Sequence, residues 1–368
     1  MRCEVTVCAC SRSAASRLAS LRDTPQRMHP PRVFGREQER GSDGAFIALS
    51  YMVSFWSATP TMKIVVLDGH TLNPGDNPWD SLEKFGELSL FDRSTVGETV
   101  LRARDAEIIV TNKATLFADT LAQLPKLRFV AVTATGYNVV DLAETKKRGV
   151  PVSNVPEYST NSVAQFTIGL ILELVHRIGE HSLAVRSGAW SAQPHFSFWN
   201  TSQVELLRKT MVIIGYGRIG RRVGEIATAL GMKILPVGRE ANLHEVIPRA
   251  DVVTLHCPLT AENAGFVNRD FLTRMRPEAF FINAARGGLV VEQDLADALN
   301  AAELAGAAVD VVSVEPIRPD NPLLQAQNCI ITPHIAWATL SARRRLMQTT
   351  AENIAAFIQG TPINVVNR

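Results

Sequence analysis

From Lys63 onward the chain alternates between short apolar runs and longer amphipathic stretches. "KIVVLD" reads as a buried strand, and "AEIIVTN", "LRFVAVTATG" and "PVSNVP" follow it at βαβ spacing with helical stretches between. "STNSVAQFTIGLILELVHRIGEHSLAVRSG" then predicts one long apolar helix that Ser159 or Thr160 could cap. A second series of apolar runs follows: "TMVIIGYG", "MKILPVG", "ADVVTLHCP", "AFFINAARGG", "AGAAVDVV" and "NCIITPH". Helix-like stretches such as "EQDLADALNAAEL" separate several of them. Strand–helix alternation on this scale predicts an α/β protein with two doubly wound parallel sheets. A final helix, Leu340 to Ile358, lies past the last strand and is placed back against the first sheet.

Residues 1–61 break the pattern. They hold eight Arg and no Lys, with Pro30 and Pro31 in tandem, and no period of two or 3.6 persists. Arg2, Glu4, Arg12 and Arg17 spoil the apolar core a secretory signal needs, and acids such as Asp23 and Glu37 speak against a transit peptide. The segment reads as a disordered extension or an early start, with folded protein beginning at Met62.

Composition adds bounds. The chain has 368 residues, 46% hydrophobic and 20% charged, with a formal net charge of +2. That suits two ordinary cores and gives no nucleic-acid track; Arg343, Arg344 and Arg345 read as a solvated helix face. No apolar run reaches the ~18 residues of a membrane span. Cys3, Cys8 and Cys10 crowd the start, and Cys257 and Cys329 stand alone. No disulfide framework or metal site follows, and the cytoplasm is the expected setting.

In "MVIIGYGRIGRRVGEIATALGMKILPVGRE" an apolar run leads into Gly215, Gly217 and Gly220 and then a helix, the context a dinucleotide fingerprint requires. Gly215 would permit the turn, Gly217 the approach of the pyrophosphate, and Gly220 the packing of helix on sheet, with the helix N-terminus facing the phosphates. The next strand would end in an acid for NAD, but Gly238 and Arg239 stand there. Losing the carboxylate and gaining a guanidinium favours NADP(H) over NAD(H). Glu240, one residue on, keeps NAD open.

Three more strand ends carry polar residues: Arg286 in "NAARGGLV", Glu315 in "VDVVSVEP" and His334 in "TPHIAWAT". Ligands of open parallel sheets bind at such ends. Reducing a 2-oxo acid takes a hydride on the carbonyl carbon and a proton on its oxygen. Histidine can give that proton near neutral pH, a neighbouring carboxylate favours the imidazolium, and arginine binds the acid and polarises the ketone. Each residue alone has a plainer reading: a domain-bridging arginine, a solvated turn carboxylate, a satisfied loop histidine.

"GYGRIG", "HCPLT", "NAARGGLV", "VDVVSVEP" and "TPHIAW", in that order, resemble the D-isomer-specific 2-hydroxyacid dehydrogenases over about Met62 to Arg368. The resemblance implies a Rossmann cofactor domain (160–339) and a split flavodoxin-like substrate domain (62–159 with 340–368). It assigns Arg286, Glu315 and His334 the roles above and makes backbone amides around Thr135 and Gly136 the holder of the substrate carboxylate. Besides the glycines, it lines the cofactor with Arg218, Ile219, Gly238, Arg239, Cys257, Pro258, Ala284, Ala285, Asp310, His334 and Ala336. His256 and Cys257 thus belong to a cofactor-lining segment, not a metal pair.

The helix near Ser162 to His176 looks like the family's dimer-forming segment, so a homodimer is expected. "SGAWSAQPHFSFWN" and "TPHIAWAT" look like the glycerate dehydrogenase (hydroxypyruvate reductase) branch, with Trp337 near a small 2-oxo or 2-hydroxy acid; Trp337 and Trp199 could equally be packing aromatics. A short phosphoglycerate dehydrogenase and a dinucleotide-sensing corepressor are the alternatives. Two departures stand out. Only "EANLHEVIPR" links Arg239 to the next strand, which opens the adenosine side. Arg208 occupies a position where relatives carry Gly, and only a local change is expected there.

Overall fold

A computed structural model describes residues 61–239 and 241–368. The amino-terminal extension with Cys3, Cys8 and Cys10, and Glu240, lie outside the described residues.

The first series of apolar runs forms β1 (Met62–Val66), β2 (Gly86–Leu90), β3 (Ile108–Thr111), β4 (Phe129–Val132) and β5 (Val152–Ser153). They make one parallel sheet in the order β2-β1-β3-β4-β5, the flavodoxin-like order. Its two faces explain the unbroken apolar runs. Ile64 and Val66 face one core, shared with Leu346, Met347 and Ile354 of the last helix. Val65 and Leu67 face the other, with Ile109, Leu121 and Val130. The carboxyl-terminal helix Leu340–Ile358 therefore returns to this sheet, and the tail follows it through the Ser153–Val365 bridge.

The second series gives β6 (Thr210–Ile214), β7 (Lys233–Val237), β8 (Val252–Leu255), β9 (Phe280–Asn283), β10 (Gly306–Val309) and β11 (Cys329–Ile331). They too are parallel, in the order β11-β10-β9-β8-β6-β7. Met211 and Ile213 pack on Ile168 and Ile171 of the helix Thr160–His176; Val212 and Ile214 pack on the opposite side with Phe271 and Leu295. β7 ends the sheet, and the described part of the connection, 241–249, holds the short helical turns Leu243–Val246 and Ile247–Arg249. Pro236 is tolerated in β7 because an edge strand can spare an N–H.

Three expectations are corrected. β2 escaped prediction: its Gly-Glu-Leu-Ser-Leu alternation marks a partly exposed edge, not a buried run. The predicted long helix is two, Thr160–His176 and Ile178–Arg186, divided by Arg177 in the left-handed region at φ 50°. Ser159 occupies its N-cap position, but neither its side chain nor any other caps it. Finally, Arg343 is not on a solvated face. It is 7% exposed, and its guanidinium donates to Asp76 (Nη2 to Oδ2, 2.7 Å) and to the carbonyls of Leu72 and Ala338. Paired this way, a cation can leave water. Arg344 and Arg345 are exposed as expected, although Arg345 Nε donates to Tyr158 O.

Candidate active site

The glycine turn after β6 has the shape a dinucleotide needs. Gly215 sits at φ 94°, and a Cβ there would lie 2.5 Å from Cys257 N. A Cβ at Gly220 would lie 2.4 Å from Gly215 O, which fixes helix Arg218–Ala229 tightly on the strand. At Gly217, the N-cap, a Cβ would meet nothing within 4 Å, and no side chain caps the N-terminus of the twelve-residue helix. These residues fit a pyrophosphate. Arg218 reaches sideways instead, pairing with Glu157 at 2.7 Å, and Ile219 packs into the core.

Past β7, Gly238 and Arg239 are exposed, and Arg239 forms no ion pair among the described residues. The Thr260 hydroxyl and a backbone N–H, with a smaller contribution from the charge of Arg239, hold Glu262 below the usual carboxylate range. Cys257 is half-buried, its thiol pushed up by burial, and Pro258 is exposed, its carbonyl accepting from Asn263. His256 bonds Thr254 through Nε2 at 3.0 Å, while its buried Nδ1 has no partner among the described residues; burial pulls the imidazole down to about 4.

An imidazole–carboxylate pair forms beyond the ends of β10 and β11. His334 Nδ1–H donates to Glu315 Oε2 at 2.7 Å, which leaves Nε2 as the atom able to exchange a proton with a ligand. Partial burial pushes the Glu315 carboxyl up, but the hydrogen bond and charge of His334, with Lys113, outweigh it and hold it below its usual range. His334 itself is left-handed at φ 54°, an uncommon conformation for a residue with a Cβ. Buried Asp310 explains how that turn is held. Its carbonyl accepts from His334 N (2.8 Å), and its carboxylate accepts from Thr332 Oγ1 (2.6 Å), Ile335 N and Ala336 N (both 2.9 Å). Burial nevertheless raises its pKa. Most of its acceptor capacity is spent on the turn, so the carboxylate assigned from sequence to the cofactor first of all shapes the histidine loop.

Arg286 comes from the turn after β9. Asn283 braces that turn, accepting from Ala285 N and donating to Arg286 O, each at 3.0 Å, and Arg286 Nη1 donates to Ala285 O. Ala284 lies between, half-buried. Across the cleft, a Cβ at Gly136 would stand 3.2 Å from Arg286 Nη2, so the guanidinium rests on this backbone. Thr135 turns its hydroxyl away to Val155 O at 2.9 Å. Trp337 meets Tyr158 edge-on, with centroids 6.1 Å apart. Burial pushes the Tyr158 hydroxyl up to about 12, opposed by Ser159 and by the nearby charge of Arg286.

Thus the first sheet contributes Gly136 and the second Arg286, Glu315 and His334, all at strand ends. Tyr158 joins them without any sequence signal, brought in by packing against Trp337, and the charge of the exposed Lys113 is felt at Glu315. Lys113 is set by Asp68, whose carboxylate accepts from the amides of Asn112, Lys113 and Ala114. A separate cavity of about 350 Å³, lined by Leu172, His176, Val204, Leu207 and Leu230 among others, lies away from this chemistry.

Two parallel sheets that approach at Gly136 and Arg286, one of them bearing an imidazole–carboxylate pair and a glycine turn shaped for pyrophosphate, define a class: dinucleotide-dependent dehydrogenases of small acids. The comparisons make the class specific. A family model described as "D-isomer specific 2-hydroxyacid dehydrogenase, NAD binding domain" matches residues 168–336. The hydroxypyruvate reductase of Blautia hydrogenotrophica is 47% identical over 322 residues, covering 83% of this chain and all of that protein. The glycerate dehydrogenase of Methylorubrum extorquens is 37% identical over 313 residues, covering 83% and 99%. Among solved structures, the NADPH-dependent glyoxylate/hydroxypyruvate reductase of Sinorhizobium meliloti, in complex with NADP and malonate, is 27% identical with a TM-score of 0.71, covering 83% of this chain and 97% of that one. The chain belongs to the D-isomer-specific 2-hydroxyacid dehydrogenase family.

Proposed function

We propose that this protein reduces small 2-oxo acids with NAD(P)H, hydroxypyruvate to D-glycerate first and glyoxylate to glycolate second. The observation that carries the reading is the 2.7 Å bond between His334 and Glu315 in the cleft that also holds Arg286. The names of the relatives agree with it. When bound, the reduced nicotinamide supplies the hydride. Arg286 then binds the substrate carboxylate and polarises its ketone, aided by the amides near Thr135 and Gly136. His334 gives a proton from Nε2 to the ketone oxygen, while Glu315 holds Nδ1–H and stabilises the imidazolium. Trp337 and Tyr158 keep the pocket small. In this reading the second sheet belongs to a cofactor domain (160–339) and the first to a substrate domain (62–159 with 340–368).

Arg239, exposed beside an open sheet edge, supports NADP(H) as the preferred cofactor. A homodimer is supported by the helix Ile178–Arg186, which buries no residue within this chain, and by Leu183, Phe196 and Trp199 at 69%, 90% and 66% exposure. The helix Thr160–His176 already buries nine of its seventeen residues internally, so the apolar surface left for a partner lies mainly beyond it. No described helix is long and apolar enough to cross a membrane; the cysteine pattern supports a cytoplasmic setting. The deciding experiment is a steady-state assay of hydroxypyruvate, glyoxylate and larger 2-oxo acids with each reduced nicotinamide. Highest kcat/KM on hydroxypyruvate, abolished in His334→Ala with cofactor binding kept, supports the reading. Unchanged turnover in that variant defeats it.

A further inference from the structure

Glu315 rides on a loop that leaves β10 and ends at the short 3₁₀ turn Pro322–Gln325. Such a loop needs something to hold it, because an exposed carboxylate on a free tip would wander and its bond to His334 would lapse. One side chain from a different element holds it at two points. Glu292 opens the helix Glu292–Asn300. Its Oε1 accepts from Ser313 N at 2.6 Å, and its Oε2 accepts from Ser313 Oγ at 2.9 Å and from Asn321 Nδ2 at 2.8 Å. Residues 313 and 321 bracket the tip that carries Glu315. The second stem is rigid in its own right: Asn321 is 9% exposed and its Oδ1 accepts from Leu323 N at 3.0 Å.

We propose that Glu292 is a positioning residue for the Glu315–His334 pair: it ties both stems of the Glu315 loop to the segment that bears Arg286. Glu292 lies six residues beyond Arg286 on one continuous stretch that includes the turn Gly287–Leu289. That stretch also packs directly on the loop, since a Cβ at Gly287 would fall on the backbone of Val312 and Ser313. The carboxylate is the suitable group for the task. It is acceptor-only, and its two oxygens can take an amide, a hydroxyl and a side-chain amide together. Glutamine has one acceptor oxygen and cannot satisfy both stems, because Asn321 Oδ1 is engaged and its Nδ2 needs an acceptor. The other charges felt at the pair are Lys113 and Asp310; Glu292 acts on it through the loop's backbone. The proposal rests on the assignment of Glu315 and His334 to the reaction.

The test uses the full chain with histidine labelled in nitrogen, and reads the Nδ1–H proton of His334, with Glu315→Gln as reference for a broken pair. Glu292→Ala is expected to weaken that resonance to the level of the reference, with Glu292→Gln between. In turnover, Glu292→Ala should lower kcat about 10-fold, a fraction of what a full ångström of misplacement costs, with the KM for reduced nicotinamide unchanged. Placed on Glu315→Gln, it should add less than about 2-fold, the non-additivity of residues acting through one another. A full resonance in both Glu292 variants, no such resonance in the unsubstituted protein, or an equal loss of kcat in both backgrounds overturns the proposal. Should Glu292→Ala not fold, Glu292→Gln carries the same readings. An unsubstituted protein that reduces no 2-oxo acid defeats the proposed function instead, and the resonance still decides Glu292.

Discussion

Replacing Gly287 with alanine adds a single methyl group where two functional loops touch. The new Cβ would lie 1.9 Å from the carbonyl carbon of Val312, 2.1 Å from its oxygen and 2.4 Å from Ser313 N. All three are backbone atoms, so no side chain can swing aside. Restoring an ordinary separation of about 3.5 Å asks the Arg286 turn and the Glu315 loop to part by about 1.5 Å. Glu292 restrains the loop at Ser313 and Asn321, so the displacement must reach Arg286, Glu315 or both. Misplacing a reacting group by an ångström costs about 100-fold in rate, or about 2.7 kcal/mol of transition-state stabilisation. Overpacking should also take about 1–3 kcal/mol from stability. The glycine turn at 215–220 is built by other contacts, so cofactor affinity should hold. The assay pairs kcat/KM for hydroxypyruvate with a fluorescence titration of reduced nicotinamide and a urea melt. A variant with kcat/KM within about 3-fold of the parent would show that this contact does not set the site's geometry.

Other outcomes follow from single residues. His256 has its pKa pulled by burial from 6.5 to about 4, so the unfolded chain takes up the proton first as pH falls. Stability should be constant above about pH 6.5 and fall by about 3 kcal/mol down to about pH 4; His256→Asn should flatten that slope in urea melts, and an unchanged slope refutes it. Arg208 is held at φ 64°, so Arg208→Gly relieves left-handed strain of about 1–2 kcal/mol against the entropy glycine costs. A net gain of about 0.5 kcal/mol should appear as a higher urea midpoint, and a clear loss counts against the strain argument. Arg239→Ala should weaken NADPH by about 10-fold or more while sparing NADH, as losing a charged phosphate contact of about 1.5–3 kcal/mol implies; equal loss for both would remove Arg239 from cofactor selection.

What the chain's own order of residues determined is the kind of fold and the kind of chemistry. Runs such as "KIVVLD" and "TMVIIG" identify strands because both faces of a parallel sheet are covered, and each alternate residue must be apolar for one core or the other. Gly215 and Gly220 are legible because each answers a local demand of the turn itself. His334, Glu315 and Arg286 can be named from the sequence as candidate functional groups at strand ends. Their partnership was decided elsewhere. His334 and Glu315 are nineteen residues apart and Arg286 rests on Gly136 from the other sheet, so only the packed sheets make these neighbours. The same holds where the reading went astray. Arg343 sits in a run of arginines that suggests solvent, yet Asp76, from the far end of the chain, draws it inward. Glu292 resembles any acid at a helix start until the loop it holds is in place. Local patterns carry the backbone's demands within a few residues; the electrostatic partner of a charged side chain is a property of the whole fold, because it depends on which distant segment the cores bring within 3 Å.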